Sequence, residues 1–470
     1  MSTHTLLPNA VTRPTAGAAT LATPSLRTAV RAMLQNLGTL ALLAIAFPFN
    51  LTVVSLALLW TWIQRLFAAP SVNPVAIQPK TILIAGGRMT KALQLARSFH
   101  AAGHRVILID TEKFWHSGNQ YSNTVAKFYP VPDPAQNLPG YLKALHAIAQ
   151  AEAVDLFIPV AIFAVLYPDG MTRHPLADDC EVCHFDAATI RLLDDKYAFV
   201  ERARSLGLAV PKSFRITSPE QVLNFDFSNE QHQYILKSIP YDAKHRLDLT
   251  KLPCATPEAT AAFVHSLPIS ETKPWIMQEF IPGQEYCTHS TVRNGQSTLY
   301  CCCESSAFQV NYQHVDQPAI YTWVEQFLSA IPGTGQASFD FIRAEDGTVY
   351  AIECNPRTHS AITLFYNHPG VAAAYLDPQP PSTPIQPLAT SQPTYWLYHE
   401  LWRLTEVRSL PQLRQWINGI WQGQEAIFQM NDPLPFLLVH HWQIPLQVLT
   451  SLRQFRGWIR IDFNIGELIE

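Results

Sequence analysis

The stretch "FDFIRAEDGTVYAIECNPR", Phe339 to Arg357, decides how the rest of the chain is read. Two strand-like runs, Phe339–Arg343 and Thr348–Asn355, flank the turn-rich "AEDG". Asp340 and Glu353 stand thirteen residues apart, inside segments that otherwise look buried. With a hairpin loop of two or four residues, Arg343 pairs with Thr348 and Asp340 lies opposite Ala351. Side chains alternate faces along a strand, so on that register Asp340, Glu353 and Asn355 share one face. Phe339, Phe341, Tyr350, Ile352 and Cys354 take the other, as a core face. A loop of odd length breaks this arrangement. Three oxygen donors with no thiol or imidazole among them suit a hard cation such as Mg²⁺. Carboxylates this close repel each other unless a cation sits between them. The plainer alternative is a solvated polar face.

Composition sets the frame. A chain of 470 residues accommodates two or three domains. Apolar residues make up 48% and charged residues 15%, enough for a real core. The net charge of −4 leaves no basic footprint for nucleic acid. The eight cysteines, three of them consecutive at Cys301–Cys303, do not resemble a disulfide framework and point to a reducing, cytoplasmic setting.

The first 75 residues differ from the rest. Met1 to Thr28 is rich in Thr, Ala and Pro and reads as a mobile leader. Ala32 to Gln64 carries no charge over thirty-three residues, with Arg27 and Arg31 before it and Arg65 after it. That exceeds the roughly 20 residues that cross a bilayer as a helix. "FPFN", Phe47 to Asn50, interrupts it, because Pro48 lacks an amide hydrogen and clashes with the preceding turn. The run therefore reads as a membrane-associated helical hairpin, re-entrant or interfacial, or equally as one kinked spanning helix. Two helices packed on the soluble body are the plainer choice. On the membrane readings, a membrane surface is a partner and residues 32–64 are the attachment. "PSVNPVAIQP" follows as a linker.

From residue 78 a strand–turn–helix–strand pattern begins. Thr81 to Ala85 is apolar, Gly86 and Gly87 allow a tight turn, Met89 to Ala102 has helical spacing, and Val106 to Ile109 ends at Asp110. Such a unit predicts a parallel sheet with helices on its faces over 78–190. "AGGRMT" is not a G-x-G-x-x-G fingerprint, so a turn that simply needs glycine is the better reading. "VDLFIPV", Val154 to Val160, supplies another strand. "CEVCH", Cys180 to His184, has the spacing of a haem attachment motif but reads as a strand at a domain edge.

Further on, "DDKYAFVERARSLGLAVPKSF" opens a helix at Asp194/Asp195, which can cap it, and Gly207 ends it. Lys196 falls in the first turn, where a cation is electrostatically ill placed. "YILKSI" sets Lys237 among Ile235, Leu236 and Ile239, where a lysine wants an anion, or else snorkels from a strand edge. "WIMQEFIPGQEYCTHS" gives an apolar strand, the connector Glu279-Phe280-Ile281-Pro282-Gly283, and Glu285. The connector can offer backbone groups to a nucleobase edge.

In this order, a lysine at a helix start, a strand lysine, Q-E-F-I-P-G-x-E and D…E-x-N-P-R, the chain resembles the ATP-grasp superfamily over Leu192 to Ser360. Over its whole length, including the apolar N-terminus and the tail "WIRIDFNIGELIE", it most resembles mycosporine-glycine synthases. The resemblance implies an α/β architecture: a pre-ATP-grasp domain over 78–190, a two-lobed ATP-grasp domain over 191–376, and a helical, aromatic region over 377–470. It implies Lys196 and Lys237 on ATP phosphates, Glu279 and Ile281 at the adenine edge through backbone with Phe280 between them, and Glu285 on ribose. It implies Asp340, Glu353 and Asn355 on two Mg²⁺ ions, for which Mn²⁺ can substitute, and Arg357 on the transferring phosphate. Two departures stand out. Many relatives carry arginine where Ser338 stands, leaving Arg357 or Arg293 to stabilise charge. The phosphate-covering loop is "SIPYDAKHRLD", with Lys244, His245 and Arg246 in place of glycines. The implied reaction is an ADP-forming ligation of 4-deoxygadusol with glycine, and His359, Ser360, Tyr312 and His314 are candidates for the acceptor pocket. The alternatives are a carboxylate–amine ligase with other substrates, and a membrane-attached nucleotide-binding protein without turnover.

Overall fold

A computed structural model describes residues 26–67, 78–161, 174–240, 242, 244–245, 248–305, 311–379 and 381–469. Residues 1–25 of the expected leader, residues 70–77 of the linker and Arg246 lie outside them; residues 26–28, expected to end the mobile leader, are helical instead.

The apolar run after Pro48 does not turn back. Helix α1, Leu26–Phe67, is continuous for 42 residues with Pro48 inside it. An interior proline removes one helical bond and costs about 3 kcal/mol. Packing on both sides offsets this: Leu43 and Val54 join one buried cluster with the C-terminal region. Between them Asn50 Nδ2 donates to Tyr398 Oη at 2.7 Å and meets His441 Nε2 at 2.8 Å. The hairpin expectation is therefore replaced by one helix strapped along the body.

The predicted parallel domain is present. Strands β1 (Thr81–Ala85), β2 (Arg105–Thr111), β3 (Lys127–Val131), β4 (Leu156–Pro159) and β5 (Glu181–Val182) form one parallel sheet in the order β3-β2-β1-β4-β5. Helices α2 (Thr90–Ala101) and α3 (Leu138–Ala151) accompany it. The glycine turn after β1 is closed to phosphate. Gly86 has φ +88°, and the amides of Gly86 and Gly87 both donate to Ile109 O, at 3.0 and 2.9 Å. A Cβ on Gly87 would meet Leu108 and Phe128 at 3.1 Å, so glycine is needed for packing. Asp110, at the end of β2, is held by the Arg88 guanidinium and amide at 2.8 Å each. The "CEVCH" motif forms the edge strand β5, and its cysteines are free thiols.

Two antiparallel sheets follow. Helices α4 (Ala187–Asp194) and α5 (Lys196–Ser205) lead in, with Asp195 capping α5 by accepting the Tyr197 and Ala198 amides at 2.9 and 3.0 Å. The first sheet, β6-β8-β7, comprises β6 (Ser213–Ile216), β7 (Tyr234–Ser238) and β8 (Trp275–Glu279), covered by α6 (Pro219–Leu223) and α7 (Pro257–Ser266). The second contains β9 (Gln284–Arg293) and β10 (Gln296–Glu304). After the short β11 (Asn311–Tyr312) and helix α8 (Pro318–Ser329) come β12 (Gly335–Arg343) and β13 (Val349–Asn355), giving the order β10-β9-β12-β13. Phe339 and Phe341 pack there against Phe199, Trp323 and Phe327.

The C-terminal region is not a separate appendage. After α9 (Val371–Leu376) it runs through β14 (Thr394–Tyr395), α10 (Leu397–Leu404), α11 (Leu410–Gln422), β15 (Gln424–Glu425), α12 (Leu434–Leu438), α13 (Ile444–Arg453) and the hairpin of β16 (Arg460–Asp462) with β17 (Glu467–Ile469). Its core residues Trp396, Phe436, Val439 and Phe463 pack with Leu93 of α2 and with α1. Arg97 of α2 bonds Asp432 at 2.9 Å, with 5% and 2% of the side chains exposed. Asp432 also accepts from Ser122 Oγ and the Asn123 amide. Removing one partner of a buried pair leaves a bare charge, at about 3–5 kcal/mol. Asp432→Ala should therefore destabilise the protein by that amount in chemical denaturation. A loss under about 1 kcal/mol would mean that this clamp does not join the regions.

Candidate active site between two antiparallel sheets

The β12–β13 hairpin is built differently from the simple expectation. Arg343 pairs with Val349, leaving the odd loop 344–348, and a bulge lies between the Asp340↔Glu353 and Phe341↔Ala351 pairs. The bulge inserts Ile352 on one strand and restores the facing lost to the odd loop. Asp340 lies directly opposite Glu353, and Ser338 opposite Asn355, so all four side chains share one face. Beyond the bulge the faces exchange: Val349 and Ala351 are core residues, while Tyr350 and Ile352 are only partly buried. The expected core face is corrected at those two positions.

The charges around this face divide in a consistent way. Lys196, the first residue of α5, puts its ammonium 3.7 Å from Glu353 Oε2. Desolvation in the cleft opposes ionisation of Glu353, but the Lys196 and Lys237 charges overcome it and hold its carboxyl down at about 2. Asp340 moves the other way. Desolvation, then the charges of Glu353 and Glu285, push it well above the usual carboxylate range, with Arg357 only partly opposing them. Glu285 is raised too, by desolvation against the pull of Lys237. Asn355 Nδ2 donates to Glu353 Oε1 at 3.4 Å, and Arg357 Nη2 donates to Asn355 Oδ1 at 3.3 Å. Ser338 Oγ bonds Arg357 O at 2.9 Å, so this serine shapes the arginine's backbone instead of supplying charge. Two facing carboxylates with a carboxamide beside them are an oxygen-only donor set, and this fits a divalent cation.

The connector after β8 lies close by. The Glu279 amide donates to Lys212 O at 2.8 Å and the Phe280 amide to Gln233 O at 2.7 Å. Among the described residues no acceptor takes the Ile281 amide, which leaves a donor for a ligand. The Glu279 carboxylate is held by His232 at 2.6 Å and by the Lys212 amide. Lys251 Nζ lies 3.9 Å from the Phe280 ring centroid. In the loop after β7, His245 is tied to Asp242 at 2.9 Å.

The expected acceptor residues separate. His359 and Tyr312 meet edge-on at 5.2 Å, and Ser360 Oγ accepts from Asn464 Nδ2 at 2.6 Å. His314 instead closes the edge of β10, contacting Cys302 O at 3.2 Å. Arg293 is also remote in role: it is 6% exposed, ion-paired with Glu181 at 2.7 Å and bonded to Tyr375 O. It bridges the parallel domain to the second sheet, so the described contacts of Arg293 and His314 lie away from the Asp340–Glu353 pair. Lys91, in the first turn of α2, is 2% exposed and donates to Thr358 O at 2.8 Å. Desolvation, then Arg357 and Arg88, lower its pKa well below the usual lysine range. Sequence reasoning missed it, although it shows the same first-turn misplacement that singled out Lys196. Asn464 from the tail and the buried His289, whose Nε2 has no hydrogen-bond partner among the described residues, were equally invisible.

No family model matches the chain, and no curated protein does. Solved structures do. An L-amino acid ligase from Bacillus licheniformis shares 15% identity at a TM-score of 0.44, covering 60% of this chain and 67% of that one. N5-carboxyaminoimidazole synthetase from Staphylococcus aureus complexed with ADP gives 15% and 0.48, over 68% and 82%. Carboxyaminoimidazole ribonucleotide synthase from Aspergillus clavatus complexed with ATP gives 14% and 0.48, over 67% and 80%. The likeness is one of fold.

The facing carboxylates make a sharp prediction. Asp340→Asn should leave the metal-free protein as stable or up to about 1 kcal/mol more stable, a rise of at most about 1 °C in Tm, because it relieves repulsion. The same change should weaken Mn²⁺ binding in the presence of an ATP analogue by roughly tenfold or more, one carboxylate donor having been lost. Calorimetry and titration read both; a large drop in the metal-free Tm would show that the pair is structural.

Proposed function

We propose that the chain is an ATP-dependent ligase that activates the enol oxygen of 4-deoxygadusol and joins the ring to glycine, forming mycosporine-glycine, ADP and phosphate. One observation supports nucleotide chemistry above the others. Lys196 Nζ lies 3.7 Å from Glu353, which faces Asp340 across the strand pair, with Asn355 bonded to Glu353 and Arg357 bonded to Asn355, and the charges of Lys237 and Glu285 bear on the same carboxylates. The choice of acceptor rests on the resemblance of the whole chain to mycosporine-glycine synthases.

In this reading Lys196 and Lys237 bind the triphosphate, Ile281 N–H meets the adenine edge, and Glu285 holds the ribose. Asp340, Glu353 and Asn355 would hold Mg²⁺, which neutralises phosphate charge when bound. 4-Deoxygadusol is a vinylogous acid, and its enolate behaves as a carboxylate. The enolate oxygen attacks the γ-phosphorus and ADP leaves with the bridging oxygen. The glycine amine then adds to the phosphate-bearing carbon, loses a proton, and the C–O bond breaks to release phosphate. Positioning and preorganised charge supply the rate, with Arg357 placed to contact two phosphoryl oxygens. His359 and Tyr312 line the acceptor side, where Lys91 holds the Thr358 carbonyl and so the path of that loop.

Incubation with 4-deoxygadusol, ATP and glycine should yield one product with the mass of the two joined less water, together with ADP. A mass change confined to a carboxylic acid substrate would move the assignment to a carboxylate–amine ligase. Absence of phosphate release with any acceptor would leave a nucleotide-binding protein. Arg357→Lys should lower kcat by roughly 10²-fold with ATP affinity little changed, because a point charge cannot replace a planar fork. Stopped-time ADP assays check this.

A further inference from the structure

Helix α1 carries a second surface that the ligase reading does not use. Its inner stripe, Ala32, Asn36, Leu43, Val54 and Ala57, is buried against the body. The rest is apolar and open. Leu42 is 69% exposed and Phe49 71%, and Ile45 and Leu56 are exposed in the same helical series. A helix of this length and composition is long enough to cross a membrane. Its attachment to the body excludes that orientation. Near one end Gln35 donates to Trp458 O and Asn36 to Arg456 O, both at 2.8 Å. In the middle Asn50 bonds Tyr398, and near the other end Thr61 Oγ1 bonds Met430 O at 3.0 Å. A helix gripped at both ends and the centre by one folded body cannot leave it to pass through a bilayer.

We infer that α1 lies flat in one leaflet of a lipid bilayer, its outer face among acyl chains and its inner stripe on the ligase body. Three features favour lipid over a second copy of the chain. No charge lies between Ala32 and Gln64, whereas Arg27, Arg31 and Arg65 stand at the two ends, complementary to anionic headgroups. Thr39 and Thr52 return their hydroxyls to the carbonyls of Gln35 and Pro48 at 2.9 and 2.8 Å, leaving little for a protein partner to bond. Exposed apolar side chains also occur outside α1. The α10–α11 pair, whose Tyr398 bonds Asn50, leaves Trp402, Leu410 and Trp421 at 70%, 72% and 86% exposure. Tryptophans of this kind favour the interface.

The test uses the full chain in two arms. Purified protein is floated with vesicles of phosphatidylcholine alone or with one-third phosphatidylglycerol. It should float with both, and more completely with the anionic mixture. The double variant Leu42→Glu/Leu56→Glu should stay at the bottom while keeping the wild-type near-ultraviolet circular dichroism spectrum and ATP binding. In the second arm, Arg27→Cys and Arg65→Cys are expressed in a bacterial host, and a membrane-impermeant maleimide is added before or after lysis. Both positions should be protected in intact cells and labelled after lysis. Labelling of one position alone in intact cells would show a crossing helix and overturn the inference. So would failure of the wild type to float, with a stable soluble dimer in its place.

Discussion

The site depends on one electrostatic constraint: Asp340 and Glu353 are placed directly opposite each other on neighbouring strands. Such a pair is unfavourable in isolation, and its surroundings make it tolerable by treating the two groups differently. Lys196 and Lys237 stabilise the ionised form of Glu353, while desolvation and Glu353 itself disfavour charge on Asp340. A protein selected for stability alone has no reason to keep this arrangement. The proposed function gives it one: a cradle that a cation and a polyphosphate would complete. The bulge at Ile352 is the backbone device that produces it.

The second organising fact is how far the rest of the chain goes to fix the loop after β13. Lys91 reaches it from the parallel domain, and Asn464 from the last hairpin. The amide of Thr90 donates to Asn464 O at 2.9 Å, and Trp396 Nε1 bonds Thr90 Oγ1 at 3.0 Å. The start of α2, the tail and the loop after β13 thus form one polar seam. Distant parts of the sequence converge there, and the Arg97–Asp432 clamp lies on the same helix. Movement of the tail would carry Ser360 and the His359–Tyr312 pair with it.

A good part of this was legible beforehand. The alternation around Phe339 and Phe341 and the helix start at Asp195 were each readable from local rules, as was the glycine turn after Ala85. The oxygen-only character of the Asp340, Glu353 and Asn355 set followed from residue type. The reading of register reached the right shared face by an incorrect count. It assumed an even loop, and the real loop is odd with a compensating bulge. Bulges carry no strong sequence signal here, because Ile352 fits a strand in either arrangement.

What the sequence by itself determined was the order of the elements, the chemical nature of the donors and the uncharged length of α1, because periodicity, capping and composition act over short distances. Only the tertiary structure decided that Pro48 is carried within one continuous helix, that Arg293 pairs with Glu181 and His314 meets Cys302, and that Lys91 and Asn464 reach the loop after β13. Those outcomes depend on which groups from remote segments arrive to share a desolvated volume. A hydrogen bond or ion pair between residues hundreds of positions apart leaves no trace in the local pattern of either.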